Sequence, residues 1–597
     1  MASFQSTVIT ERGHQLMAKI ATGSTKMSFS KIRTSDSTPS DASLPTLTAL
    51  SSIKQTVDIS GVSVINDSTV KVSGAISNAA LGTGYYVRVI GLYAIDPDLG
   101  EILYSVTKAI EADWMPPNNG ISSSSLMINL LTVTSNASNV TLDIDPGAVA
   151  TINNINQLTT EINNVKGFVG YSEKGILGVE WDVVNQVVTR LGDAMGKSPG
   201  ADFDIYNMYG NRKKCIVADD GVRLAYLGET GYTESGTLST ALTVGGVEYP
   251  SGTRVQVMVE QPAFWYKAVP IDFKKIPERK GFSVQKIRYY ISETARFGFK
   301  LHPAFYTREA SRKPVNLIYL SAYEGSAWDT SGSVYLLNDE AIVDFTATTG
   351  DKLSSIANAK PISGLTNDFT RAKARIIAKN RGTGWQLEDI FSNSASQLLF
   401  AIEYGSFDTQ TKIGMGVVSK TDDGASNMAE PTGATFAIGN GSGMAVGTNG
   451  LVSVIYRGQE NFWGNIWKWE DGLNVYADGV NNQAYIAYSG FADSVITDPY
   501  FDVGFELANT TGYISAIGWS EICDFAFLAT ETLGASNKPI EDYFYQNAAS
   551  AGHKVSGVGG NWTYGANAGG FFRHVNTDSS YRTRGRGGRV LFVPPAA

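Results

Sequence analysis

YRGQENFWGNIWKWEDGLNV, Tyr456 to Val475, is the stretch on which the fold turns. Trp467 and Trp469 stand two apart, so on a strand they face the same side. Each can bury a large apolar area while its indole N–H needs a partner, which suits a protein core better than a ligand platform. Further along, GGNWTYGANAGGFF (Gly559 to Phe572) adds Trp562 next to Gly559-Gly560, and Gly587-Gly588 follows; both pairs allow close backbone approach in strand-rich sequence. Upstream the spacing turns helical between Asn367 and Tyr404. Phe369, Ala372 and Ile376 form one stripe, Phe391, Ala395, Leu398 and Ile402 another, and Arg381-Gly382-Thr383-Gly384 separates the two helices. Two helices embedded in long aromatic, Gly-rich, strand-like sequence predict an α+β head.

Composition agrees with a chain that is β-rich overall. Charged residues are only 18%, against 62 Gly, 28 Tyr, 26 Phe and 10 Trp, a balance that favours strands and loops with aromatic surfaces. At 597 residues several packed units are expected. A net charge of -9 argues against a nucleic-acid partner, because phosphate neutralisation needs a clustered excess of Lys and Arg. No run approaches the roughly 20 apolar residues that span a bilayer, and MASFQSTVITERGHQ has no apolar core of signal-peptide length, so no membrane insertion and synthesis in the cytoplasm are expected. Cys215 and Cys523 form no CxxC pair and suggest neither a disulfide framework nor a zinc site.

Near the N-terminus, Thr10-Glu11 followed by Leu16, Met17 and Ile20 predicts one short amphipathic helix over 8–21. Tyr85 to Ile95 alternates, Asp96-Pro97-Asp98-Leu99-Gly100 supplies turn chemistry, and Glu101 to Val106 returns as the second strand of a hairpin. After Asp145-Pro146-Gly147, Ile155, Leu158, Ile162 and Val165 fall at the a/d spacing of a coiled coil, or of a single amphipathic helix packed on its own domain. The layout is therefore multidomain α+β: a small α+β domain over 1–148, a short coiled-coil stalk over 149–170 and a head over 171–597, with 171–280 as a candidate β-rich sub-domain.

ITERGHQLMAKIATGSTKMSFSKIRTSDS, Ile9 to Ser37, resembles the N-terminal domain of phage tail-collar fibre proteins through Glu11-Arg12-Gly13, Leu16, Lys19-Ile20, Gly23, Phe29 and Lys31-Ile32. From Gly178 to Val593 the chain is similar to phage tail-protein heads of the formylglycine-generating-enzyme branch of the C-type lectin fold, a fold shared by major tropism determinants. The motifs are Gly464-Asn465-Ile466-Trp467-Lys468-Trp469 and Gly559-Gly560-Asn561-Trp562 with Gly587-Gly588-Arg589. These resemblances imply a C-type-lectin-like head whose structural core includes Trp467, Trp469, Trp562 and Arg589. They also imply a tail fibre in the virion, made in the host cytoplasm and built as a homotrimer. Residues 1–148 would dock on tail or baseplate proteins, and the head would bind a bacterial cell-surface receptor. The alternatives are an enzymatic tailspike depolymerase and the fibre of a contractile bacteriocin particle.

Between Trp562 and Arg589 the sequence reads as loops with the make-up of a binding surface: Tyr564, Asn567, Phe572, Arg573, His574, Asn576, Asp578, Ser580, Tyr581, Arg582, Arg584 and Arg586. From Asn561 onward there are five Arg, no Lys and one acid, a local +4 that points to an anionic target such as a wall glycan. Catalysis is not expected. The cysteine pair of the formylglycine-generating enzymes is missing, no HExxH or triad pattern surrounds the four histidines, and Gly192 to Ser198 is one residue short of a phosphate loop. Glu388 and Asp389 are the carboxylates a glycosidase reading would use. No cofactor is expected; calcium would go to Asp219-Asp220-Gly221 or Asp422-Asp423-Gly424.

Overall fold

Thr10 opens the first helix as the spacing predicts: its hydroxyl accepts the Gly13 N–H at 3.0 Å and caps α1, Glu11–Ala21, which buries Leu16 and Ile20. In the computed structural model, the described residues are 3–23, 25–66, 68–118, 125–134, 174–339, 341–533, 540 and 542–596. They fall in two compact units, Met1–Ser172 and Glu173–Ala597. The stalk expected over 149–170, with Ile155, Leu158, Ile162 and Val165, lies outside the described residues.

In the first unit the strands are β1 (Ser3–Phe4), β2 (Val8–Ile9), β3 (Phe29–Ser35), β4 (Ile53–Asp58), β5 (Gly61–Asn66), β6 (Thr69–Ser77), β7 (Tyr85–Asp96), β8 (Gly100–Met115) and β9 (Ser125–Val133). One sheet runs β1-β8-β7-β3-β4 with β2 also on β8, and a second runs β5-β6-β9. The hairpin β7–β8 closes at Asp96, whose carboxylate accepts the Asp98 and Leu99 N–H groups at 2.9 and 3.1 Å. Leu16, Ile20, Phe29 and Ile32 share one core with Val70 and Val72 of β6 and Ile128 and Leu130 of β9. Gly13 is required there because a Cβ would stand 2.3 Å from the Tyr104 carbonyl oxygen, so α1 lies directly on β8.

The second unit is organised around strand Trp467–Ala477, which sits between Asn482–Ile486 and Gly552–Val558 in a nine-stranded sheet. Beyond Gly552–Val558 come Arg573–Thr577 and Tyr543–Gln546. A six-stranded sheet receives the last strand, Val590–Phe592, between Leu317–Ser321 and Trp385–Leu387. The candidate sub-domain 171–280 is not set apart. Its strand Val255–Pro262 pairs with Leu317–Ser321, and Ile176–Asp182 pairs with Phe282–Ser292, so backbone hydrogen bonds bind it into the rest of the unit.

Both expected helices form, at Arg371–Lys379 and Ile390–Tyr404. In the first, the inward face is Arg371, Ala374, Arg375, Ile377 and Ala378, not the stripe through Ala372 and Ile376. The shift arises because two arginines turn inward onto Asp471 and Asp493: Arg375 reaches Asp471 at 2.6 Å and Arg371 reaches Asp493 at 2.8 Å. An apolar-stripe rule has no way to place buried ion pairs. The second helix buries all its residues from Ile390 to Glu403, so it is a central rod with no outer face.

Trp467, Trp469, Trp562 and Arg589 are all 2% exposed or less. The Trp469 indole donates to the Phe369 carbonyl at 3.1 Å, as a buried N–H requires, whereas the Trp562 N–H has no partner. Arg589 donates to backbone carbonyls of Ser321, Glu460 and Asn461 and so ties three segments together at the end of the chain.

Candidate functional site

The stretch expected to be loop-rich contains the strand Arg573–Thr577, buried over its first three residues, and this overturns part of the expected binding set. Phe572, Arg573, His574 and Arg586 are 0, 1, 3 and 2% exposed and cannot meet a receptor surface. Arg573 grips Glu470 through two nitrogens at 2.7 and 3.0 Å, and Glu470 also accepts from Asn393 at 3.0 Å and Ser556 at 2.7 Å. His574 Nε2 lies 2.6 Å from Arg586 Nη2; burial, reinforced by that guanidinium, keeps the imidazole neutral.

Arg586 is a core cation. Its guanidinium carbon stands 4.7 Å from the Trp467 ring, 5.0 Å from Trp469 and 5.4 Å from Tyr581, and a Cβ on Gly557 would come 2.2 Å from Nη1. Burial lowers its pKa to about 10, so it stays charged at neutral pH, with aromatic faces in place of a carboxylate. A single Arg over both rings is what same-face tryptophans on one strand allow.

The remaining predicted residues do reach the surface. Tyr564, Asn567, Asn576 and Arg584 are half-buried, and Asp578, Ser580, Tyr581 and Arg582 are exposed. Asp578 shapes the exposed turn by accepting the Ser580 N–H at 2.8 Å and its hydroxyl at 2.6 Å. The local +4 disappears on folding. Arg573 is paired with Glu470, Arg582 with Asp368 at 3.0 Å, and Arg584 with Asp422 at 2.7 Å and Asp423 at 3.1 Å, while Arg586 and Arg589 are buried. The expectation of an anionic target therefore loses its basis.

Of the two calcium candidates, Asp422 and Asp423 face Arg584, Asp219 faces Arg254, Arg381 and Lys352, and Asp220 accepts the Tyr249 hydroxyl at 2.8 Å. Among the described residues no cluster of three or more His, Cys, Asp or Glu is arranged to hold a metal ion. Neither is any helix there long and apolar enough to cross a membrane.

What the fold adds is a set of tyrosines absent from the predicted list. Tyr513 and Tyr543 meet edge to face at 5.1 Å, Tyr543 touches Phe572 at 6.0 Å, Phe572 touches Tyr564 at 5.5 Å, and Tyr545 packs on His574 at 5.4 Å. With Tyr581 over Arg586 they form one continuous arc around Trp467, in which Tyr545 and Tyr581 are each 37% exposed. Tyr513 also donates to Asn567 at 2.6 Å. A period-two signal was present in YFYQ, where Tyr543 and Tyr545 flank the fully buried Phe544. Only the parallel pairing of Tyr543–Gln546 with Arg573–Thr577 brings it beside the C-terminal segment.

Glu388 and Asp389 are 3 and 0% exposed. Asp389 caps the helix Ile390–Tyr404 and pairs with Arg308 at 2.7 Å. Burial, partly offset by Arg589 and Lys468, raises the Glu388 pKa to about 7. A folded pKa above the unfolded value means that this group's contribution is fully present below about pH 4.5 and lost as pH rises through 7. Glu388→Gln is therefore expected to gain on the wild type by roughly 2 kcal/mol between pH 5 and pH 8, measured by urea unfolding at both values. A difference between the two proteins that stays constant with pH would refute the assignment.

A family model described as the N-terminal region of phage tail-collar fibre protein matches residues 1–153. No curated protein matches the chain. Among solved structures, Major Tropism Determinant variants U1 and P3c are each similar at 12% identity over 64% of this chain and 71% of theirs, with TM-score 0.21. The M1 variant has the same identity and coverage with TM-score 0.22. Over residues 1–153, about a quarter of its length, the chain is thus similar to the N-terminal region of the phage tail-collar fibre proteins.

Proposed function

We propose that this chain is a phage tail fibre that attaches the virion to the bacterial host surface, with residues 1–148 docked on the tail or baseplate and the C-terminal unit binding the receptor. It acts by binding and not by catalysis, as a homotrimer in the virion, and is made in the host cytoplasm. The observation that carries the reading is the tyrosine arc with the exposed 578–582 turn, held on a sheet whose core is fully packed. Tyrosine offers broad contact area with few torsions to freeze, and its ring faces stack on sugars or on apolar protein surface. With its arginines paired internally, this face suits a ligand of low charge. The test is adsorption. Purified full-length chain should bind host cells saturably and compete with phage for attachment; failure of both would remove the proposal.

A further inference from the structure

A cavity of about 660 Å³ in the first unit runs along β9 and is lined by Phe4, Ile9 and Ile90 together with Ile128, Leu130 and Thr132. Among the described residues β9 pairs with β6 alone, so one side of its backbone has no strand beside it. Among the described residues no charged side chain lines the cavity, and the Thr132 hydroxyl, 2% exposed, has no hydrogen-bond partner. The opposite edge of the same sheet is β5, GVSVIN, which is also uncharged and leaves Val64 and Ile65 59 and 54% exposed. On β9, Leu131 and Val133 are 56 and 49% exposed. Long uncharged apolar edges invite strand pairing, and soluble proteins ordinarily protect them with charges, proline or bulges. Neither edge carries a charge or a proline, and the single irregularity, between Val64 and Asn66 at the end of β5, leaves Gly61 to Val64 in regular register with β6.

We propose that these two edges meet between copies of this chain: β5 of one copy adds to β9 of the next, extending the three-stranded sheet head to tail. In each copy β5 and β9 both run antiparallel to β6, so an added β5 continues the sheet as a parallel neighbour of β9. The contact is heterologous, since two different edges meet, and such contacts close into a ring when the rotation per copy allows. The interface is independent of any receptor-binding role of the C-terminal unit.

Engineered cysteines test it on the full chain. Ser63 and Leu131 flank Lys71 in register on the same sheet face, which puts them two strand spacings, about 10 Å, apart within one copy, beyond the roughly 7 Å a disulfide spans. Copies bearing Ser63→Cys are co-expressed with copies bearing Leu131→Cys or, to cover one register step, Val133→Cys; the native Cys215 and Cys523 are buried. A covalent pair should appear on non-reducing gels only when both kinds of copy are present. Its absence with both partners, or equal cross-linking when either variant is expressed alone, would overturn the proposal. As a second reading, Leu131→Lys sits on a position exposed within one copy and should leave a folded chain with native circular dichroism while abolishing the cross-link between Ser63→Cys and Val133→Cys copies. A cross-link that persists in that background would also overturn it.

Discussion

Replacing Arg573 by alanine is expected to destabilise the C-terminal unit by about 3–5 kcal/mol, because it leaves the Glu470 carboxylate buried without its cation. Glu470 is fully buried, and Arg573 supplies two of its hydrogen bonds; Asn393 and Ser556 supply the others and cannot replace the charge. The loss should appear as a lower urea midpoint with an unchanged m-value. Removing both partners as Arg573→Ala with Glu470→Ala should cost less than the sum of the single changes, since neither ion is then stranded. Strict additivity, or a loss below about 1 kcal/mol for the single change, would show that the pair does not hold the sheet together. Arg573 belongs to the segment with the chemistry of a binding surface, so any adsorption defect in Arg573→Ala should track the unfolded fraction and vanish at temperatures where the unit is folded.

The opposite pattern is expected at the tyrosines. Tyr581→Ala and Tyr545→Ala each remove a ring that is 37% exposed at the rim of the arc. Each should weaken host-cell binding by roughly tenfold or more, corresponding to about 1.4 kcal/mol, as aromatic anchors at interfaces commonly do. Stability should change by only about 0.5 kcal/mol, because neither side chain fills the core. Arg582→Ala should have the smaller effect on binding, its charge being already answered by Asp368 on an equally exposed site. Cell-binding isotherms for the three variants, set beside their unfolding curves, separate the outcomes. Wild-type binding in both tyrosine variants would place the receptor contact elsewhere on the unit.

Much of the local architecture is legible in the sequence. The Thr10 cap, the Asp96 turn and the two helices between Asn367 and Tyr404 follow from short-range rules of spacing, capping and turn chemistry, and they occur where those rules put them. The tryptophans read as core for a similar reason, since a large ring with one polar atom is stable only when buried and, ideally, bonded. The errors have one physical origin. The apolar stripe through Phe369, Ala372 and Ile376 leaves out Arg371 and Arg375, and the composition reading makes Arg573 and Arg586 contact residues, because a charged side chain is assigned to the surface unless its partner is known. Those partners lie far along the chain: Asp493 for Arg371, Asp471 for Arg375, Glu470 for Arg573, and the Trp467 and Trp469 rings for Arg586.

The sequence by itself determined the tail-collar-fibre resemblance at the N-terminus, the β-rich character and the tryptophan core, because each rests on residues within a few positions of one another. Tertiary structure alone decided which side chains of the C-terminal segment are available to a ligand. Strand pairing buries Arg573 and His574, ion pairs answer Arg573, Arg582 and Arg584 while burial withdraws Arg586 and Arg589, and Tyr513, Tyr543 and Tyr545 arrive from strands that linear order keeps apart. Electrostatic compensation and surface exposure are long-range properties, set by which segments the folded sheet brings into contact.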